Sequence, residues 1–251
     1  MLSALLLSAS LALAASVQLT TADGVKIHAE SFGSGANGVV LVHGKGGSRS
    51  DWSTLSAKLS SAGFQVLAVD LRGHGESASG ALQEADYLKM TADVDAAAAW
   101  LTAHGATSVA AVGAELGANL ALNAAANNPT IQNLLLLSPG LNHEGVKVGS
   151  AVTSYGKRPL LLVAGAGDLM ASKAATILES RATGPRLVEL PDTSARGHQL
   201  LHSAPDVEAL LLSWLNGSFS DVGDPGSGRP DIGTAASDGI ETTGTRLEDR
   251  R

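Results

Sequence analysis

At 251 residues the chain is long enough for one large α/β domain. Its formal net charge of −7 and 3% aromatic content, with no cluster of Lys or Arg, argue against a phosphate-backbone partner, so no nucleic acid is expected. The absence of cysteine excludes disulfides, thiolate zinc sites and a cysteine nucleophile.

Residues 1–15 are apolar and small, ending Ala12-Leu13-Ala14, in the manner of an export signal with its cleavage site. The stretch lacks a positive start and is too short to span a bilayer, so export to the periplasm or medium is expected without stable membrane insertion. A domain is expected over residues 16–215. Within it, residues 25–30 alternate apolar and polar as an edge strand would, after a turn at Asp23-Gly24. The continuous apolar run at 39–42 suits a buried central strand. A helix over 51–62, a strand over 66–69 and a helix over 85–103 follow. The strand at 109–112 leads into a helix over 116–127. Further strands are expected at 134–137, 160–163 and 187–190, with a helix over 170–181. A last helix over 199–215 carries leucines and Trp214 at helical spacing, and Trp214 reads as core. Asp86, Asp93 and Asp95 read as a solvated helix face. Residues 216–251 are rich in Gly, Ser, Asp, Thr and Pro, with too little apolar surface to offset chain entropy, and a disordered tail is expected there.

This alternation of strands and helices specifies a mostly parallel sheet covered on both faces, in which chemistry gathers in the loops beyond the carboxyl ends of the strands. Those loops carry His43-Gly44-Lys45-Gly46-Gly47-Ser48, Asp70-Leu71-Arg72-Gly73-His74-Gly75-Glu76-Ser77, Gly113-Ala114-Glu115-Leu116-Gly117, Gly165-Ala166-Gly167-Asp168 and Gly197-His198. Glycines two residues either side of Glu115 are what a tight strand-to-helix turn needs, because a Cβ there collides with the strand or helix.

As an ordered set these motifs resemble the α/β-hydrolase family over about residues 20–215. The resemblance implies that His198 is the general base and Asp168 its orienting acid. It implies that the backbone N–H groups of Lys45 and Leu116 form the oxyanion hole, and that Glu115 stands where the family usually has serine. With about twenty residues between the strands at 134–137 and 160–163, no cap domain is expected. The resemblance implies hydrolysis of small ester-like or acyl substrates with an altered nucleophile. Close behind stands a silent pseudo-hydrolase that binds a small molecule or protein, and third a carboxylate-nucleophile hydrolase attacking carbon, as in haloalkane dehalogenases and epoxide hydrolases. Against that third reading, Leu116 replaces the tryptophan of the dehalogenases. A Lys45 ammonium turned inward would pair with Glu115. Neither cofactor nor metal is expected, and the oligomeric state is open.

Overall fold

The computed structural model describes residues 14–77, 80 and 82–217. Apart from Ala14 and Ala15, the leader expected at 1–15 lies outside the described residues, as do residues 218–251 of the expected tail.

Strands β1 (Ala15–Thr20), β2 (Lys26–Phe32), β3 (Asn37–Val42), β4 (Gln65–Val69), β5 (Ser108–Ala114) and β6 (Ile131–Leu137) are followed by a hairpin of β7 (Asn142–His143) and β8 (Val146–Lys147), then by β9 (Leu160–Val163) and β10 (Arg186–Glu189). Among the described residues, eight of these form one sheet in the order β1-β2-β4-β3-β5-β6-β9-β10, and the hairpin stands apart. β2 runs antiparallel to β1 and β4. From β4 to β10 all neighbours are parallel. The uninterrupted Val and Leu runs of β3, β4, β6 and β9 are buried on both faces, as helices on either side require.

Helices α1 (Ser53–Ser61), α2 (Glu84–Lys89), α3 (Thr91–Ala103), α4 (Leu116–Asn127), α5 (Ala151–Tyr155) and α6 (Leu169–Arg181) connect the strands, and α7 (Leu200–Ser203) and α8 (Pro205–Leu215) follow β10. They close two apolar layers: one around Leu67, Met90, Leu101, Leu120 and Leu136, the other around Trp52, Leu59, Leu135, Leu161 and Trp214. Trp214 is core, 2% exposed, and its indole N–H donates to Asn133 at 2.8 Å.

Four expectations need correction. β2 is not an edge strand, because β1 lies outside it in full register from Ala15 to Thr20. β1 is half polar and follows directly on the apolar sequence read as a leader, which hid its strand character. The helix expected over 199–215 is broken at Ala204, whose extended φ of −136° precedes Pro205. Proline lacks an N–H and restricts the residue before it, so it starts the new helix α8 rather than continuing the old one. The helix expected over 85–103 is two helices, joined at Met90. Of the three aspartates expected on a solvated face, Asp86 does face solvent, paired with Lys89 at 2.9 Å, but the other two do not. Asp93 is fully buried and takes the Arg72 backbone N–H and Nε–H, each at 2.8 Å, while Asp95 accepts from the Asn128 amide.

Candidate active site

β5 delivers the chain to Glu115, the residue that caps α4, at φ 50° and ψ −112°. This backbone geometry is uncommon for any residue with a Cβ and is sustained only where the surroundings over-determine it. The surroundings here are backbone. A Cβ on Gly113 would lie 2.4 Å from the Gly117 carbonyl oxygen, and one on Gly117 would lie 2.3 Å from that of Val42. The Glu115 N–H donates to the Leu137 carbonyl at 2.9 Å, tying the tip to β6. Glu115, Ser138 and Glu144 are the non-glycine residues with positive φ among those described, and all three surround this end of the sheet.

The Glu115 side chain is half-buried. Its Oε2 would lie 2.6 Å from a Cβ on Gly44 and 3.4 Å from one on Gly197. The carboxylate therefore occupies the gap between the loop after β3 and the loop that carries His198. Among the described residues its side chain takes part in no ion pair or hydrogen bond, with His198 or with Lys45. The Lys45 ammonium turns outward instead, to Glu144 Oε1 at 2.8 Å and over the Tyr87 ring at 5.5 Å.

Buried His43 braces the loop that bears Lys45. Its Nδ1–H donates to the Gly44 carbonyl at 2.7 Å, and its Nε2 accepts the Leu71 N–H at 3.1 Å. These two bonds select one neutral tautomer, and burial pushes the ring below its ordinary value of 6.5, against the charged form. Asp70 is fully buried and accepts the backbone N–H of Arg49 at 2.7 Å and of Glu76 at 2.9 Å. The motif Asp70 to Ser77 is thus a structural clamp.

Asp168 and His198 stand apart in their bonding. Asp168 caps α6 through the Ala171 N–H at 3.3 Å, and its Oδ2 pairs with Arg196 Nε at 3.1 Å. Its loop is zipped to the segment before His198 by Ala166 N–H to Pro191 O and Gly167 N–H to Thr193 O. The carboxylate nearest to His198 is Asp51, whose Oδ2 lies 3.8 Å from Nδ1. The His198 ring also packs edge-on against Trp52 at 6.4 Å. One residue back, Gly197 adopts φ +51° and donates its N–H to Ser138 Oγ at 2.9 Å.

Asp51, Ser138 and Glu144 belong to this site without having been singled out by motif. The available signals were faint: an acidic residue before Trp52, and a serine directly after the strand that neighbours the elbow.

Above the site the β7–β8 hairpin hangs from α4. Buried Asn119 donates to the Val146 carbonyl at 2.8 Å and accepts the Gly140 N–H at 3.1 Å, while one turn later Asn123 donates to the Lys147 carbonyl at 3.0 Å. No helix among the described residues is long and apolar enough to cross a membrane.

Comparison with known proteins extends this picture. The model of the α/β hydrolase fold matches residues 37–160. A dihydrolipoyllysine-residue acetyltransferase component of an acetoin cleaving system, from Cupriavidus necator, is 31% identical over 142 residues. That alignment takes in 56% of this chain but only 35% of the relative, so the chain spans about a third of that protein's length. An esterase from Pyrococcus furiosus superposes with a TM-score of 0.72 at 20% identity, covering 82% of this chain and 91% of the other. A dienelactone hydrolase from Anabaena variabilis superposes with a TM-score of 0.66 at 24% identity, covering 82% and 98%. With the parallel sheet, the strained turn into α4 and the ordered loops, these findings show that the chain belongs to the α/β-hydrolase fold family.

Proposed function

We propose that this protein holds a hydrolase-type pocket for small ester-like or acyl molecules and that Glu115 silences the acyl-enzyme route. The observation that carries the reading is the position of Glu115 Oε2, wedged between Gly44 and Gly197 with no bond to His198. A serine hydroxyl attacks a carbonyl to give an ester, which water cleaves. A carboxylate making the same attack would give an anhydride, which lies uphill of the ester substrate, and its bulk fills the gap between the two loops that a carbonyl group would enter. The fold family, the esterase-type neighbours and the acyl chemistry in the name of the Cupriavidus relative support the substrate class.

A second reading keeps Glu115 active, as a base on water or as a nucleophile toward carbon. Its support is that the Glu115 carboxylate, only half-buried, takes part in no ion pair or hydrogen bond among the described residues that would hold it away from water or a substrate.

The two readings separate on p-nitrophenyl acetate and butyrate. Under the first, the native protein adds nothing to buffer hydrolysis, Glu115→Ser creates turnover, and a further His198→Ala removes it. Native turnover that disappears in Glu115→Ser would overturn the first reading in favour of the second. Label from isotopic water found in the Glu115 side chain after turnover would identify a covalent ester.

A further inference from the structure

We propose that Asp51, rather than Asp168, is the positioning carboxylate for His198. The inference rests on the reading above, because it names the group that would orient the base once a hydroxyl is restored at position 115.

Two observations remove Asp168 from that role. Its Oδ1 accepts the first-turn N–H of Ala171, and its Oδ2 is taken by Arg196, two residues before His198 in the chain. A guanidinium is always charged and a stronger partner for a carboxylate than a neutral imidazole, so Arg196 wins the competition.

Three observations place Asp51 in it. Its Oδ2 lies 3.8 Å from His198 Nδ1. The same oxygen accepts the Ser48 N–H at 3.3 Å and would lie 2.3 Å from a Cβ on Gly47, so the carboxylate is seated in a notch that only glycine leaves open. The next residue, Trp52, is fully buried and presents its ring to the His198 imidazole at an interplanar angle of 64°. One short turn, Arg49–Trp52, therefore supplies both the charge and the wall against which the imidazole rests.

The separation of 3.8 Å is longer than a hydrogen bond, and such contacts tighten when a ligand fills a site. Closing it puts the Nδ1–H on Asp51 and leaves the Nε2 lone pair free to accept a proton. An asparagine at position 51 offers an N–H to Nδ1, which drives the proton to Nε2 and removes the base. A glutamate restores an acceptor.

Long-range ¹H–¹⁵N correlation on protein labelled at histidine reads the tautomer directly, with His198→Gln identifying the resonance. The expected result is an Nδ1–H imidazole in the native protein, an Nε2–H imidazole in Asp51→Asn, return of the first form in Asp51→Glu, and no change in Asp168→Asn. A switch in Asp168→Asn with none in Asp51→Asn, or a switch in neither, overturns the proposal. In the Glu115→Ser background, Asp51→Asn should lower kcat by about a hundredfold with little change in KM, and an unchanged kcat overturns it too. If Glu115→Ser gains no hydrolysis while the tautomer still follows Asp51, the functional reading falls and the positioning role stands.

Discussion

Ser138 and Gly197 are joined by a buried hydrogen bond, the Gly197 N–H donating to Ser138 Oγ at 2.9 Å, and each residue holds a positive φ of about 50°. The end of β6 thus anchors the backbone directly before His198. Ser138→Ala leaves that buried N–H without a partner, which costs about 1–3 kcal/mol. Urea unfolding should show the loss, and Ser138→Gly should recover part of it by relieving the left-handed backbone. Equal stability of Ser138→Ala and native protein would show that the bond contributes nothing.

Glu115→Gly should stabilise the protein. The tip keeps φ 50° and ψ −112° because the turn demands it, and glycine adopts that region without a Cβ clash. A gain of about 1 kcal/mol in the unfolding free energy is expected, net of the entropy that glycine adds to the unfolded chain. A loss of stability would mean that the carboxylate makes contacts worth more than the strain.

Two glycines near the tip should respond differently to alanine. At Gly117 the new methyl meets the backbone oxygens of Val42 and His43 at 2.3 and 2.5 Å, which cannot move without parting α4 from β3. Destabilisation of about 3 kcal/mol or more is expected. At Gly44 the nearest atom is the free end of the Glu115 side chain, at 2.6 Å, which can swing away. Gly44→Ala should therefore fold and melt close to native, and circular dichroism with thermal unfolding distinguishes the two.

Arg72, followed by Thr21, holds the Asp23 carboxyl well below its ordinary value of 3.8. A carboxyl depressed by folding contributes stability that is fully present above its unfolded value and is lost as pH falls toward its folded one. Because 43% of the Asp23 side chain faces water, screening keeps the contribution within about 1 kcal/mol. Asp23→Asn should flatten the decline in urea midpoint between about pH 5 and about pH 3 relative to native protein. Parallel curves would rule out the contribution.

The strands and the elbow were legible because their causes are local. Apolar runs such as 39–42 and 160–163 specify buried strands by composition alone, and the glycines at 113 and 117 are demanded by contacts within one turn. The partners of His198 were not legible in the same way. Chain order singles out Asp168, but it carries no record of Arg196, whose claim on that carboxylate emerges only when the two loops are zipped side by side. Asp51 looks like an ordinary first-turn acid until folding brings the distant His198 against it. The same applies to Asp93: its spacing suggests solvent, whereas the Arg72 loop covers it.

Among the described residues, what reaches over the loop that bears Lys45 is the slender β7–β8 hairpin, through Glu144. The Glu115 carboxylate is only half-buried, so water reaches it, and a hydrated anion exerts a weaker field than one sealed in a dry cavity. Under the proposed function, an intermediate sensitive to moisture would find no shelter there.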